Sequence, residues 1–148
     1  MRVLFVVAAL VLAGCSTRVA PTPAPSSSGD LVLPNTVPNG RVELVIKPSY
    51  ANGKDVTVTV RLIPSTGTLR GPLEPYVQAS GFAGTTIVKH LAPLPVTATA
   101  AKAADAQLLW DTTDDAGRAV PADDYSLVIA VLDDQGRRTT VGATLTLR

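Results

Sequence analysis

Carboxylates are the only reactive groups this chain concentrates. Asp111, Asp114, Asp115, Asp123 and Asp124 crowd one stretch, and Asp133 and Asp134 follow close behind. Two kinds of chemistry use such a cluster. Ca2+ takes six or more oxygens from carboxylates and carbonyls. Aspartate also closes turns, because its side chain accepts hydrogen bonds from backbone N–H groups just ahead of it. Asp111-x-x-Asp114-Asp115-x-Gly117 lacks the Asp-x-Asp-x-Asp-Gly spacing of an EF-hand loop and its bidentate Glu. Turn formation is therefore the favoured reading of these five aspartates. A weak Ca2+ site is the alternative, and no other cofactor is implied.

The remaining candidates for chemistry thin out quickly. His90 is the only histidine, which excludes a two-His metal site and leaves a solvated or edge residue. No Gly-x-Ser-x-Gly elbow, Ser-x-x-Lys pair or phosphate-binding glycine loop occurs. Arg70 and Glu74 sit in a Pro/Gly-rich stretch without a general-base partner, and Arg137-Arg138 reads as a solvated hairpin start. A net charge of +1 gives no bulk electrostatic case for nucleic acid. No small-molecule substrate is evident, and the expectation is a non-catalytic protein.

The elements that must position these residues read as strands. Aromatics make up only 4% of the chain, so the core has to come from Val, Leu, Ile and Ala. Val and Thr recur throughout, and branching at Cβ favours extended backbone. Residues 41–47 and 55–63 alternate, with Val42, Leu44 and Ile46 on one face of the first and Val56, Val58, Val60 and Leu62 on one face of the second. Asn52-Gly53 between them supplies the positive φ of a hairpin. Residues 64–84 break the pattern repeatedly with Pro and Gly, which predicts a long irregular connection with a short strand at 76–79. Residues 85–91 and, more weakly, 94–100 read as strands. Residues 98–107 are Ala-rich, so a short helix is an alternative there, opposed by Thr97 and Thr99.

The stretch 108–132 then organises the rest. Ala106, Leu108 and Trp110 share a strand face, a dense Asp/Gly/Pro turn follows, and residues 125–132 are apolar on both faces, as a central strand requires. Trp110, the only tryptophan, and Tyr125 read as core pins at the two ends of the turn. Residues 137–148 return from a tight turn at 133–136, with Val141, Ala143, Leu145 and Leu147 facing in. Strand-length runs at this spacing predict an antiparallel β-sandwich over residues 41–148.

Trp110-Asp111, Asp114-Asp115-Ala116-Gly117, Val120-Pro121-Ala122 and Tyr125 together resemble the FlgD-type Ig-like domain, an accessory sandwich of secreted bacterial proteins. A bacterial intracellular proteinase-inhibitor family carries a similar strand–turn–Tyr pattern. The resemblance covers about 108–132 and implies an Ig-like sandwich. Thr112 and Asp123 stand where that pattern has glycine, which implies different backbone angles at both positions.

The N-terminus supplies an address. Arg2 precedes an unbroken apolar run from Val3 to Leu12, too short for a membrane span of about 20 residues and suited to a signal peptide. Its exit, Leu12-Ala13-Gly14-Cys15, resembles the lipobox of bacterial lipoproteins. That implies a signal peptide over 1–14, cleavage before Cys15, and lipidation of the Cys15 thiol. Cys15 is the only cysteine, so no intramolecular disulfide can form. Ser16, rather than Asp, resembles the outer-membrane sorting pattern. Residues 15–40 are rich in Pro, Ser, Ala and Thr and read as the lipidated Cys followed by a flexible tether.

These readings combine into one expectation. The chain is a lipid-anchored cell-envelope protein, its Ig-like sandwich binding or scaffolding another envelope protein and its N-terminal lipid held in a membrane, most consistently the outer one. The alternative is a proteinase-inhibitor-like module in which the 64–84 loop enters a protease cleft.

Overall fold

Alternation of branched apolar residues with Thr, Arg and Glu builds the first sheet. The computed structural model describes residues 29–80 and 86–148. The expected signal peptide, the Cys15 expected to be lipidated and the expected tether as far as residue 28 lie outside the described residues. Strands β1 (Leu31–Val37), β2 (Gly40–Ile46), β3 (Val56–Pro64) and β8 (Ala104–Trp110) form an antiparallel sheet in the order β1-β2-β3-β8. Val42, Leu44, Ile46, Val56, Val58, Val60 and Leu62 are all buried, so the predicted hairpin faces the core as its alternation requires. Its connecting loop turns at Gly53, at φ 74°. Tyr50 anchors that loop: its hydroxyl accepts from the Lys47 N–H at 3.0 Å and donates to the Thr57 carbonyl at 3.1 Å.

The second sheet packs across from the first. It contains β4 (Thr68–Arg70), β5 (Tyr76–Ala79), β6 (Ile87–His90), β7 (Thr97–Thr99), β9 (Asp124–Asp133) and β10 (Arg138–Thr146). β9 is its spine. On one side it pairs with β10 along its length; on the other it pairs with β5 near its start and β4 near its end. A strand bonded on both sides and packed on the core needs apolar residues on both faces. Leu127, Ile129, Ala130 and Val131 are accordingly buried. Two antiparallel sheets enclosing one Val/Leu/Ile core make the protein a β-sandwich.

Two expectations require correction, and one alternative falls away. The stretch 15–40 is not tether throughout, because residues 31–37 form β1 and pair with β2 over their whole length. The proline-rich composition hid this strand; Pro34 is tolerated because β1 is an edge. The stretch 64–80 holds more than the predicted strand at 76–79, which is observed as β5: β4 precedes it, and Leu69, Leu73 and Val77 are buried. A strand of three residues, such as β4, is too short to show a period, and the prolines and glycines around it dominate the reading. The Ala-rich stretch 98–107 holds no helix: it ends in β8, whose pairing with β3 overrides the helical preference of alanine.

The 108–132 stretch does not form a hairpin. β8 belongs to the first sheet and β9 to the second, so the Asp-rich turn carries the chain across the sandwich.

Candidate functional site

Trp110 ends β8 with its side chain in the core, 1% exposed. Its indole N–H donates to the Thr113 carbonyl at 2.9 Å, which bends the chain back over the ring. The ring meets Tyr125 edge-on, with centroids 5.2 Å apart and planes at 70°. Tyr125 lies at the start of β9 in the second sheet, and its hydroxyl donates to the Pro121 carbonyl at 2.8 Å. Burial raises the phenol's pKa, and the charge of Asp123 adds to that effect. Both predicted pins therefore hold the corner and each other.

Between them the backbone makes a sharp move at Thr112, which is buried at φ 55°. The angle is one that glycine adopts without strain and a β-branched residue rarely does. The expectation of different angles at this position is thus corrected: threonine takes the left-handed conformation. Its hydroxyl donates to the Asp111 carbonyl at 2.8 Å, and its carbonyl accepts from Val120 N–H at 3.0 Å.

Each aspartate of the cluster is occupied. Asp111 accepts from the Thr113 hydroxyl at 2.7 Å, which with the Thr113 N–H lowers its pKa. Asp114 Oδ1 accepts from the backbone N–H of Ala116 and Arg118 at 2.9 and 2.8 Å, and its Oδ2 accepts from Arg118 Nε at 2.8 Å. The Arg118 backbone and guanidinium hold that carboxyl below its ordinary range. Asp115 reaches outward to β6: its Oδ1 accepts from His90 N–H at 2.8 Å, its Oδ2 lies 2.7 Å from His90 Nδ1, and its own N–H donates to the Val88 carbonyl at 2.9 Å. The His90 backbone and ring lower its pKa. Asp123 caps the Asp124 N–H at 2.8 Å, and Asp124 accepts from the Thr146 hydroxyl at 2.6 Å.

The oxygens that most resemble a cation site already hold a cation. Lys89 extends from β6 so that its ammonium donates to Thr113 Oγ1 and the Asp114 carbonyl, both at 3.0 Å, with Asp111 Oδ1 at 3.8 Å. Among the described residues no group of three or more His, Cys, Asp or Glu side chains is disposed to hold a metal ion. The chemistry of this donor set is turn closure.

The same turn occurs twice. Asp114-Asp115-Ala116-Gly117-Arg118 and Asp133-Asp134-Gln135-Gly136-Arg137 share the pattern Asp-Asp-x-Gly-Arg. In the second copy Asp133 Oδ1 accepts from the N–H of Gln135 and Arg137 at 2.9 and 2.8 Å, and Oδ2 accepts from Arg137 Nε at 2.6 Å. Gly117 and Gly136 take φ 76° and 74°. Burial works to raise the pKa of Asp133, but the Arg137 side chain and backbone outweigh it and the carboxyl is lowered. The second aspartate of each copy is left to clamp a neighbour: Asp115 takes β6, and Asp134 accepts from Asn39 Nδ2 at 2.7 Å in the β1–β2 turn. This repeat was legible as a five-residue word, yet a search for repeating domains overlooks a repeat so short.

A groove of about 730 Å³ opens beside the corner, floored by Ala79, Ile87, Val120 and Tyr125 and rimmed by Asp115 and Asp123. His90 is an exposed edge residue whose ring partner is Asp115, and among the described residues no hydroxyl is hydrogen-bonded to it. Tyr50 is buried at the β2–β3 loop while Tyr76 lies on β5, so the two do not form an aromatic platform for a sugar. No protein-family model matches the chain, and no curated protein matches it.

Proposed function

We propose that the protein is a lipid-anchored component of the bacterial cell envelope, held through Cys15 in a membrane, most consistently the outer one, and that its Ig-like sandwich binds another envelope protein without catalysis. The observation that carries the non-catalytic reading is the state of the Asp-rich corner. Asp111, Asp114, Asp115, Asp123 and Asp124 are each spent on a backbone N–H or a neighbouring side chain. Among the described residues each of these carboxylates has at least one such bond. The resemblance of 108–132 to FlgD-type domains supports an accessory role, and the LAGC lipobox supports the anchor. The protease-inhibitor reading is the weaker one, because Leu69, Leu73 and Val77, which an inserting loop would present, are turned into the core.

Mass spectrometry of the mature N-terminus tests the anchor. A Cys15 carrying a diacylglyceryl group is the expected product; an unmodified Cys15 sinks the lipoprotein reading.

A further inference from the structure

An edge strand exposes a row of backbone N–H and C=O groups, and sandwiches blunt such edges or use them. Four edges here are blunted. β7 is only three residues long, Thr97–Thr99. Asp115 covers β6, donating to Val88 and accepting from His90. β1 carries Pro34 at its centre. Residues 50–52 bond to the end of β10, and the outer face of β10 carries Thr140, Gly142 and Thr144, which offer little apolar surface. β8 differs. It runs seven residues without proline or an inward-pointing charge. Among the described residues its backbone bonds only to β3. Its Leu109 is 60% exposed, the most exposed large apolar side chain among the described residues.

The outer face also states what should come next. Glu43, Arg61 and Asp105 stand in one cross-strand row over β2, β3 and β8. Arg61 Nε bonds Asp105 Oδ1 at 2.9 Å, and Arg61 lies 3.9 Å from Glu43. The charges alternate and end on a carboxylate at the open edge. A strand added there continues the ladder with a cation opposite Asp105 and an apolar residue opposite Leu109. Opposite residues on paired strands keep the same spacing, so the two stand four residues apart. On the inner face β8 presents Ala104 and Ala106, small residues at the rim of the core that leave room for a partner's apolar side chains.

From these observations we infer that the edge of β8 is the partner-binding surface. It takes an extended segment of another polypeptide by strand addition, with Lys or Arg in register with Asp105 and an apolar side chain in register with Leu109. This rests on the binding reading proposed above.

Photocrosslinking of the full-length lipidated protein in cells tests it. A benzophenone amino acid replaces Leu109 in one strain and Thr140 on β10 in another, and crosslinked peptides are sequenced. The expected product from position 109 is a segment carrying an apolar residue and a Lys or Arg four apart. Asp105→Lys is expected to cut its yield about tenfold, since like charges then face each other across the pair. If Asp105→Lys lowers the melting temperature, Asp105→Asn serves instead, with a fall of about two- to threefold. A product without that pattern, or a yield indifferent to position 105, overturns the proposal. Products from position 140 alone overturn it while leaving the binding reading in place. No protein product from either position removes both.

Discussion

Replacing Trp110 with alanine removes the pin on which both sheets converge. The side chain is essentially without solvent exposure and its ring meets Tyr125 at 5.2 Å. Truncating a buried Trp to Ala costs about 3–5 kcal/mol, as lost transfer energy plus the cavity left behind. Two further losses bear on where in that range the value falls. The indole N–H to Thr113 carbonyl bond contributes about 1 kcal/mol, and the edge-on aromatic contact about 0.5–1.5 kcal/mol. Trp110→Phe keeps most of the apolar volume and loses the hydrogen bond, so it should cost about 1–2 kcal/mol. Small domains have only about 5–15 kcal/mol of stability, and Trp110→Ala should therefore lower the melting temperature by about 10–25 °C. Far-UV circular dichroism in urea and heat is the assay, because the variant lacks the chain's only tryptophan and tryptophan fluorescence cannot follow it. A loss below about 1 kcal/mol for Trp110→Ala, well under the usual cost for such a residue, would refute the claim that the fold is organised around this corner.

The twin turns make a paired comparison. Asp133→Asn should lower the melting temperature more than Asp114→Asn, because the Asp133 side chain is 4% exposed and that of Asp114 is 19% exposed; equal losses would show that burial does not set the strength of this motif. Stability should also depend on acid. Asp111, Asp114, Asp115 and Asp133 all have folded pKa values lowered from the ordinary carboxylate value, so their contribution is complete above that value, near pH 4, and is lost as pH falls through the folded pKa values. Urea midpoints between pH 6 and pH 2 should fall only below about pH 4, and a midpoint flat to pH 2 would contradict the assigned bonds. At Thr112 the backbone lies at φ 55°, so Thr112→Gly should be more stable than Thr112→Ala by about 1 kcal/mol in chemical denaturation, and the reverse order would place the residue outside the left-handed region.

The long strands were legible because their patterns are long enough to carry a period. Val56, Val58, Val60 and Leu62 alternate over β3, and Val141 and Leu145 over β10; all are buried. The apolar run of β9 likewise predicted a central strand. β5 was legible as a short strand at 76–79, but β4 was not, since three residues cannot display a period and Gly67, Gly71 and Pro72 surround it. β1 was hidden by composition, because a proline that would break an inner strand is tolerated on an edge. The pins Trp110 and Tyr125 could be named from residue type alone. Their partners could not: the Thr113 and Pro121 carbonyls are backbone groups, and nothing in residue identity marks which carbonyl a buried donor will meet.

The corner's composition becomes intelligible once each Asp-Asp-x-Gly-Arg turn is divided between its two acids. The first acid closes the turn locally, on the N–H groups two and four residues ahead and on the arginine. The second needs no part in that closure, so it can act at a distance. Asp115 spans 25 residues of sequence to hold β6, and Asp134 spans 95 to hold the β1–β2 turn. A cluster that resembles a metal site in one dimension is in three dimensions two clamps, with Lys89 supplying at the first the positive charge an ion would bring. The clamp also explains the distribution of open edges. Asp115 seals β6, and Asp134 reaches the other sheet at the β1–β2 turn, the edge opposite β8, so the edge of β8 meets neither turn's second aspartate.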